Sequence, residues 1–241
     1  MERGQSTHCL NLFSGPKKRI AVLIDPDNRN FGQLEVLINL CNKAPIDLFL
    51  VGGSILNEGT IEETIDFIKS RSTIPVIIFP GPSQQICNKA DAILWLSLIS
   101  GRNADLLIGR HVEASFKLKA SKLESIPTGY MLIDGGKPTT ASYISFTQPL
   151  PQNKPMLAAA TALAAEQLGL KLIYLDAGSG AQNCVPSSIV KSVSTHCNLP
   201  IIVGGGLKTK EDIERAFVAG ANMVVLGTVL ENNPEVLHEL I

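Results

Sequence analysis

Tyr174-Leu175-Asp176-Ala177-Gly178-Ser179-Gly180 is the most informative run in this chain. Lys171-Leu172-Ile173 leads into it as a short buried strand. A phenol, a carboxylate and a loop of small residues therefore arrive together at one strand end. Glycine frees the backbone to turn its N–H groups toward a ligand. Two later buried runs end in the same way, at Val203-Gly204-Gly205-Gly206 and Leu226-Gly227-Thr228. Taken singly, each turn reads as a tight strand-to-helix connection. Three in succession near the end of a barrel-length chain favour an anion seat, most simply for a phosphate.

Working outward, the other strands read as Arg19–Ile24, Asp47–Val51, Pro75–Phe79, Ala92–Leu98, Thr128–Asp134, Pro200–Val203 and Asn222–Leu226. Their apolar runs lack strict alternation, as expected when both faces are covered. Helices fall between most of them. Leu34, Leu37, Ile38 and Cys41 recur at helical spacing. Thr60-x-x-Glu63 is a capping box before Ile61, Ile65 and Ile68. Further helices are expected over 112–122, 154–168 (stopped by Gly169), 187–197, after Thr209-x-x-Asp212, and over 234–240. Residues 137–153, with Pro138, Pro149 and Pro151, read as irregular. Only a short polar turn, beginning Pro80-Gly81-Pro82-Ser83, follows the third strand, so the third helix is missing or replaced by a loop. The fold expected is α/β, a single (β/α)8 TIM barrel over residues 1–241, with a doubly wound open sheet as the alternative.

Composition narrows the function classes. The chain has 241 residues, 45% of them hydrophobic, enough for one large core. A net charge of -1 gives no electrostatic case for nucleic acid. The five cysteines form no C-x-x-C pair, and no apolar leader opens the sequence. That pattern points to reduced thiols in the cytoplasm. No run approaches a transmembrane span of about 20 apolar residues.

In a barrel, the C-terminal ends of the strands share one rim. Asp25, Asp27, Ser54, Arg102, Asp176 and the late glycines should therefore meet. Asp25 and Asp27 flank Pro26, which stiffens the turn. A carboxylate and a hydroxyl beside a substrate phosphate are the usual setting for Mg2+, which makes Asp25 and Ser54 the candidate metal ligands. An Asx-turn or helix cap is the structural alternative for both aspartates, the cap being favoured for Asp27. For Ser54 it is a turn at a helix approach. Asp176 is the candidate catalytic group, accepting a proton or holding a hydroxyl; alternatively it orients its own loop. Tyr174 either bonds the ligand or fills the core with its hydroxyl at the rim. Arg102 either meets a second anion or lies on the surface, and Trp95 reads as an outward or interface-packed aromatic. No lysine stands at a strand end for Schiff-base chemistry, because Lys171 begins its strand. The dinucleotide, G-x-S-x-G and P-loop signatures are missing.

These motifs resemble the geranylgeranylglyceryl phosphate synthase family, which includes the bacterial heptaprenylglyceryl phosphate synthases. The matching pieces are Leu23-Ile24-Asp25-Pro26-Asp27, Val51-Gly52-Gly53-Ser54, Phe79-Pro80-Gly81, Ser100-Gly101-Arg102-Asn103, Ile126-Pro127-Thr128-Gly129-Tyr130, residues 174–180, Val203-Gly204-Gly205-Gly206 and Gly227-Thr228. The resemblance implies a modified barrel without its third helix. It implies transfer of a prenyl group from a prenyl diphosphate to the terminal hydroxyl of sn-glycerol 1-phosphate, giving an ether lipid precursor. Mg2+ would be the cofactor, on Asp25 and Ser54. Glycerol phosphate would bind Tyr174, Leu175, Asp176, Ala177, Gly178, Ser179, Gly180, Gly205, Gly206, Gly227 and Thr228. A homo-oligomer is implied as well. Leu23 stands where one branch carries lysine, Asn28 (followed by Arg29) where many of the other branch do, and Asp176 where many members have glutamate. These features point to the larger-barrel branch associated with a C20 chain. Phe79, Trp95, Ile99 and Phe116 are candidates to line the tail channel. Two other readings remain at this stage: a phosphosugar isomerase or lyase on the same barrel, and a non-catalytic phosphate sensor. Asp25, Ser54 and Asp176 together argue against the sensor.

Overall fold

The computed structural model describes residues 9–15, 17–27, 30–57, 59–81 and 85–241. Eight parallel strands close into one barrel in sequence order, β1 pairing with both β2 and β8. They are β1 (Arg19–Ile24), β2 (Leu48–Val51), β3 (Val76–Ile78), β4 (Ala92–Leu98), β5 (Glu124–Leu132), β6 (Leu172–Asp176), β7 (Ile201–Gly204) and β8 (Met223–Leu226). Side chains alternate between two cores, because successive residues of a strand face opposite sides. Ala21, Leu48, Leu50, Ile77, Leu94, Leu172, Tyr174, Ile202 and Val225 fill the barrel. Val22, Phe49, Val51, Ile78, Ile173, Leu175 and Val203 pack against the helices outside.

The helices are α1 (Phe31–Cys41), α2 (Ile61–Lys69), α3 (Arg110–Ser121), α4 (Thr140–Ser145), α5 (Pro155–Gln167), α6 (Ser187–His196), α7 (Lys210–Ala219), α8 (Thr228–Asn232) and α9 (Leu237–Leu240). Local chemistry starts several of them. Thr60 Oγ1 accepts the N–H of Glu63 at 3.1 Å and opens α2, whose Ile61, Ile65 and Ile68 are buried. Thr209 and Asp212 form a reciprocal capping box on α7. The buried face of α5 is all alanine (Ala158, Ala159, Ala162, Ala165). Among the described residues, no helix is long and apolar enough to cross a membrane.

No helix occupies the described residues between β3 and β4, as the short polar turn predicts; Pro82 and Ser83 lie outside the described residues, as do Asn28 and Arg29. Elsewhere the boundaries shift. β5 begins at Glu124 and ends at Leu132, instead of spanning 128–134. It runs through Pro127 because that carbonyl still accepts the N–H of Lys171 at 2.8 Å. The stretch 137–153 is not wholly irregular: Thr139 and Ser142 form a capping box and start α4. A one-turn π-helix, Asp105–Gly109, precedes α3. The expected closing helix over 234–240 is a 3-10 turn, Pro234–Val236, followed by α9, with α8 inserted before it. At the opposite end from the strand-end loops, the 3-10 turn Cys9–Phe13 plugs the barrel with Phe13. Glu124 holds that turn by accepting the N–H groups of Cys9 (2.7 Å) and Leu10 (3.0 Å).

Candidate active site

The C-terminal strand ends surround a cavity of about 530 Å3. Asp25 and Ser54 line it from the early strands. Tyr174, Asp176, Ser179, Gly180, Gly205, Gly206, Gly227 and Thr228 line it from the late ones. Three of the residues that the sequence groups with them do not face the opening. Leu175 and Ala177 are buried in the layer between barrel and helices. Gly178 instead gives its N–H to Asp176 Oδ1 at 2.7 Å. Side chains alternate along β6, so Tyr174 and Asp176 point inward and Leu175 outward.

Asp176 sits on the floor of this mouth, 7% exposed. Its Oδ1 holds Gly178, and its Oδ2 accepts the phenol of Tyr130 at 2.5 Å. Burial raises the carboxyl above its ordinary value of 3.8, and those two hydrogen bonds work against the rise by favouring the ionised form. Tyr130 and Tyr174 are pushed well above the usual phenol range by burial first and by the Asp176 charge second. Three rings pack here. Phe79 and Tyr174 stack at 5.0 Å, and Tyr130 meets both edge-on, at 5.7 and 5.6 Å. Gly205 closes the loop side at φ +77°; a Cβ on it would lie 2.5 Å from Gly178 N and 2.6 Å from Asp176 Oδ1. Only glycine lets the two late loops approach this closely. The hydroxyls of Ser179 and Thr228 lie 3.0 Å apart and join β6's loop to β8's.

Across the mouth, Asp25 Oδ1 accepts the N–H of Asp27 at 3.0 Å. Burial raises Asp25, while the bond from Asp27 lowers it and the Asp27 charge raises it. Gly53 makes room for this carboxylate, since a Cβ there would lie 2.8 Å from Oδ1 and 2.9 Å from Oδ2. Glu231, from α8, stands close by; burial raises its carboxyl first and the Asp25 charge adds to that. The set is oxygen-only: a carboxylate, the Ser54 hydroxyl and a second acid on the same cavity wall. Hard cations take such donors, and Mg2+ needs few from the protein. Among the described residues, no cluster of three or more His, Cys, Asp or Glu side chains has the geometry of a metal site.

The other expectations resolve individually. Asp27 does not cap a helix. Its carboxylate accepts the N–H groups of Asn57 (2.9 Å) and Gly59 (3.0 Å), tying β1's turn to β2's loop, while Asn30 caps α1 by accepting from Gln33 N. Arg102 folds back on its own loop, donating to the carbonyls of Gly101 (2.7 Å) and Ile99 (3.3 Å). All five cysteines are free thiols. A second cavity, of about 640 Å3, is walled by Phe79, Trp95, Leu96, Leu98, Leu106, Ile144 and Phe146 among others. Two of the proposed channel residues, Phe79 and Trp95, line it, and Trp95 stacks on His111 at 4.7 Å. The other two do not: Ile99 packs into the outer core, and Phe116 is 86% exposed on α3. Sequence reasoning missed Lys208 and Glu231, and it met Tyr130 only as the end of the Ile126–Tyr130 motif, with no role assigned. Lys208 could have been found as the cation just past the Gly204-Gly205-Gly206 turn. Glu231 carries no local signal that separates it from surface positions, and the motif that ends in Tyr130 does not show which way its phenol points.

Comparison with known proteins bears on most of the chain. Residues 16–241 match the model of the PcrB family. The geranylgeranylglyceryl phosphate synthase of Spirosoma linguale is 50% identical over 224 residues, covering 93% of this chain and 90% of that protein. The synthase of the same name from Pyrococcus furiosus is 40% identical over 218 residues, covering 90% and 86%. Among solved structures, (S)-3-O-geranylgeranylglyceryl phosphate synthase from Thermoplasma acidophilum, in complex with sn-glycerol-1-phosphate, superposes with a TM-score of 0.90. It shares 33% sequence identity, and the match covers 97% of this chain and 96% of that one.

Proposed function

The chain belongs to the PcrB family, and from that premise we propose that it is a geranylgeranylglyceryl phosphate synthase, transferring the geranylgeranyl group of its diphosphate to the terminal hydroxyl of sn-glycerol 1-phosphate. One observation carries the reading. The early-strand acids and the late-strand glycine loops line one mouth, and an apolar cavity shares walls with it at Gly53, Ser54, Phe79, Tyr130 and Ala141. A small polar acceptor and a long apolar donor each have a compartment, and the compartments meet.

The acceptor phosphate is held by backbone N–H groups of the loops at Gly180, Gly205–Gly206 and Gly227–Thr228, by the Ser179 and Thr228 hydroxyls, and by the Lys208 ammonium. The glycerol then extends toward Asp176. The prenyl tail lies along Phe79, Trp95 and Leu98. Holding both substrates in this way makes the attack effectively unimolecular. In the step itself the allylic C1–O bond breaks, and its electron pair leaves with the diphosphate. The acceptor oxygen forms the new C–O bond, and its proton passes to the Asp176 carboxylate. The Asp25 carboxylate and the Ser54 hydroxyl fit Mg2+ and would hold it. When bound, it supplies positive charge for the leaving diphosphate. The protein acts in the cytoplasm, a reading that its five free cysteines support, and the resemblance to the family implies a homo-oligomer.

The test is direct. Purified protein is incubated with sn-glycerol 1-phosphate, radiolabelled prenyl diphosphates of several lengths and Mg2+, and the lipid is extracted. A labelled ether lipid, most abundant with the geranylgeranyl donor, is the expected result. Folded protein that yields no lipid product with any donor refutes the function.

A further inference from the structure

Tyr130 lines both cavities, and among the described residues its phenol is the only ionisable side chain on those shared walls. It pairs directly across the ladder with Tyr174, and its phenol reaches past that ring to the next inward residue of β6, Asp176, at 2.5 Å. Phe79 and Tyr174 pack against its ring and fix it in place. An aspartate has one methylene less than a glutamate, so the Asp176 carboxylate stays low in the barrel, within reach of this phenol.

We propose that Tyr130 is a positioning residue for the transfer: it anchors one oxygen of Asp176, so that the carboxylate's free lone pairs face the junction where acceptor hydroxyl and allylic carbon meet. The proposal rests on the function read above and names the group on which its proton-accepting step depends. Both carboxylate oxygens are already engaged, Oδ2 by Tyr130 and Oδ1 by the Gly178 N–H. The carboxylate therefore cannot rotate, and the acceptor hydroxyl meets it in one orientation. Loss of the phenol leaves Oδ2 unanchored. The same phenol donates to the charged form of Asp176, so its loss also makes the carboxyl easier to protonate. Among the described residues, the other ionisable and polar groups beside Asp176 are Tyr174 on β6, the Gly178 N–H, and the backbone of Gly205 just after β7. Lys208, Asp25, Asp27 and Glu231 share the cavity wall.

The experiment compares wild type with Tyr130→Phe, which keeps the ring and removes the donor, and with 3-fluorotyrosine at 130, which keeps the ring and strengthens the donor. Kinetics with sn-glycerol 1-phosphate and geranylgeranyl diphosphate are followed over pH. The 13Cγ resonance of Asp176, assigned with Asp176→Asn, is titrated without substrates. Tyr130→Phe is expected to lower kcat by about ten- to a hundredfold, with KM for glycerol phosphate changed by less than about threefold. Its acid limb and its Asp176 titration should both move to higher pH, and 3-fluorotyrosine should move both to lower pH. A Tyr130→Phe enzyme with kcat within twofold of wild type and an unmoved Asp176 titration overturns the proposal. The titration needs no donor substrate, so failure of the positioning role is distinguishable from failure of the activity itself. Thermal melts of each variant separate a folding defect from a lost role, and the 3-fluorotyrosine shift alone decides if Tyr130→Phe does not fold.

Discussion

Replacing Gly205 with alanine should damage both the barrel and its acceptor site. The backbone there has φ +77°, and the added Cβ would lie 2.5 Å from Gly178 N, 2.6 Å from Asp176 Oδ1 and 2.8 Å from Gly178 O. Two of those atoms are main chain, and the third belongs to a carboxylate pinned by bonds of 2.7 and 2.5 Å. None can swing aside, so the two loops must part. The left-handed conformation alone costs alanine about 1–2 kcal/mol, and overpacking adds about 1–3 kcal/mol. At about 2–4 °C per kcal/mol for a chain of this size, Tm should fall by about 4–20 °C. Parting the loops also displaces the N–H groups aimed at the acceptor phosphate. Losing one charge-assisted bond, about 1.5–3 kcal/mol, raises KM for sn-glycerol 1-phosphate about ten- to a hundredfold. Gly169→Ala is the internal control. Its φ is +87° but nothing lies within 4 Å of its Cβ position, so it should lose only about 1–2 kcal/mol and keep wild-type kinetics. Melting curves and initial-rate kinetics on both variants decide the matter. Equal Tm losses, with KM unchanged in Gly205→Ala, would falsify the account of how the loops pack.

Asp25→Asn should lower activity on the order of a hundredfold and weaken its dependence on added Mg2+, read as rate against metal concentration; full activity with an unchanged metal titration removes Asp25 from the metal set. Asp27→Ala breaks the tie to Asn57 and Gly59 and should cost about 2 kcal/mol, or roughly 4–8 °C in Tm, so a Tm within a degree of wild type contradicts the tie. Asp176→Asn should lower kcat by about 10²–10⁴ with little change in KM. The same variant tests the sign of the carboxyl's shift. The folded value lies above the unfolded 3.8, so between those two values the native state binds more protons than the unfolded one. Wild type should therefore lose stability relative to Asp176→Asn as pH rises through the folded value, in urea melts taken across that range. A difference that stays constant with pH would show that burial does not raise this group.

Strand ends were legible because their chemistry is local. An apolar run followed by Asp-Pro-Asp, Gly-Gly-Ser or Gly-Gly-Gly announces itself within a few residues, and eight such runs in order favour a closed sheet over an open one. That Asp25, Ser54, Asp176 and the late glycines stand at strand ends around one mouth was therefore legible from the amino acids alone, as was the lack of a helix among the described residues between β3 and β4. The closure of the barrel decided the rest. Leu175 and Ala177 sit inside a motif that reads as one binding loop, yet strand alternation turns their side chains toward the helices. Asp27 reads as a cap and is instead a bridge between two loops that only the β1–β2 pairing brings together. Tyr130 reads only as the last residue of the Ile126–Tyr130 motif. Its role depends on the β5–β6 register that sets it opposite Tyr174 and below Asp176. Sequence carries what neighbours along the chain impose on one another. Contacts between strands 46 residues apart, such as Tyr130 with Asp176, exist only once register and closure have fixed which faces meet.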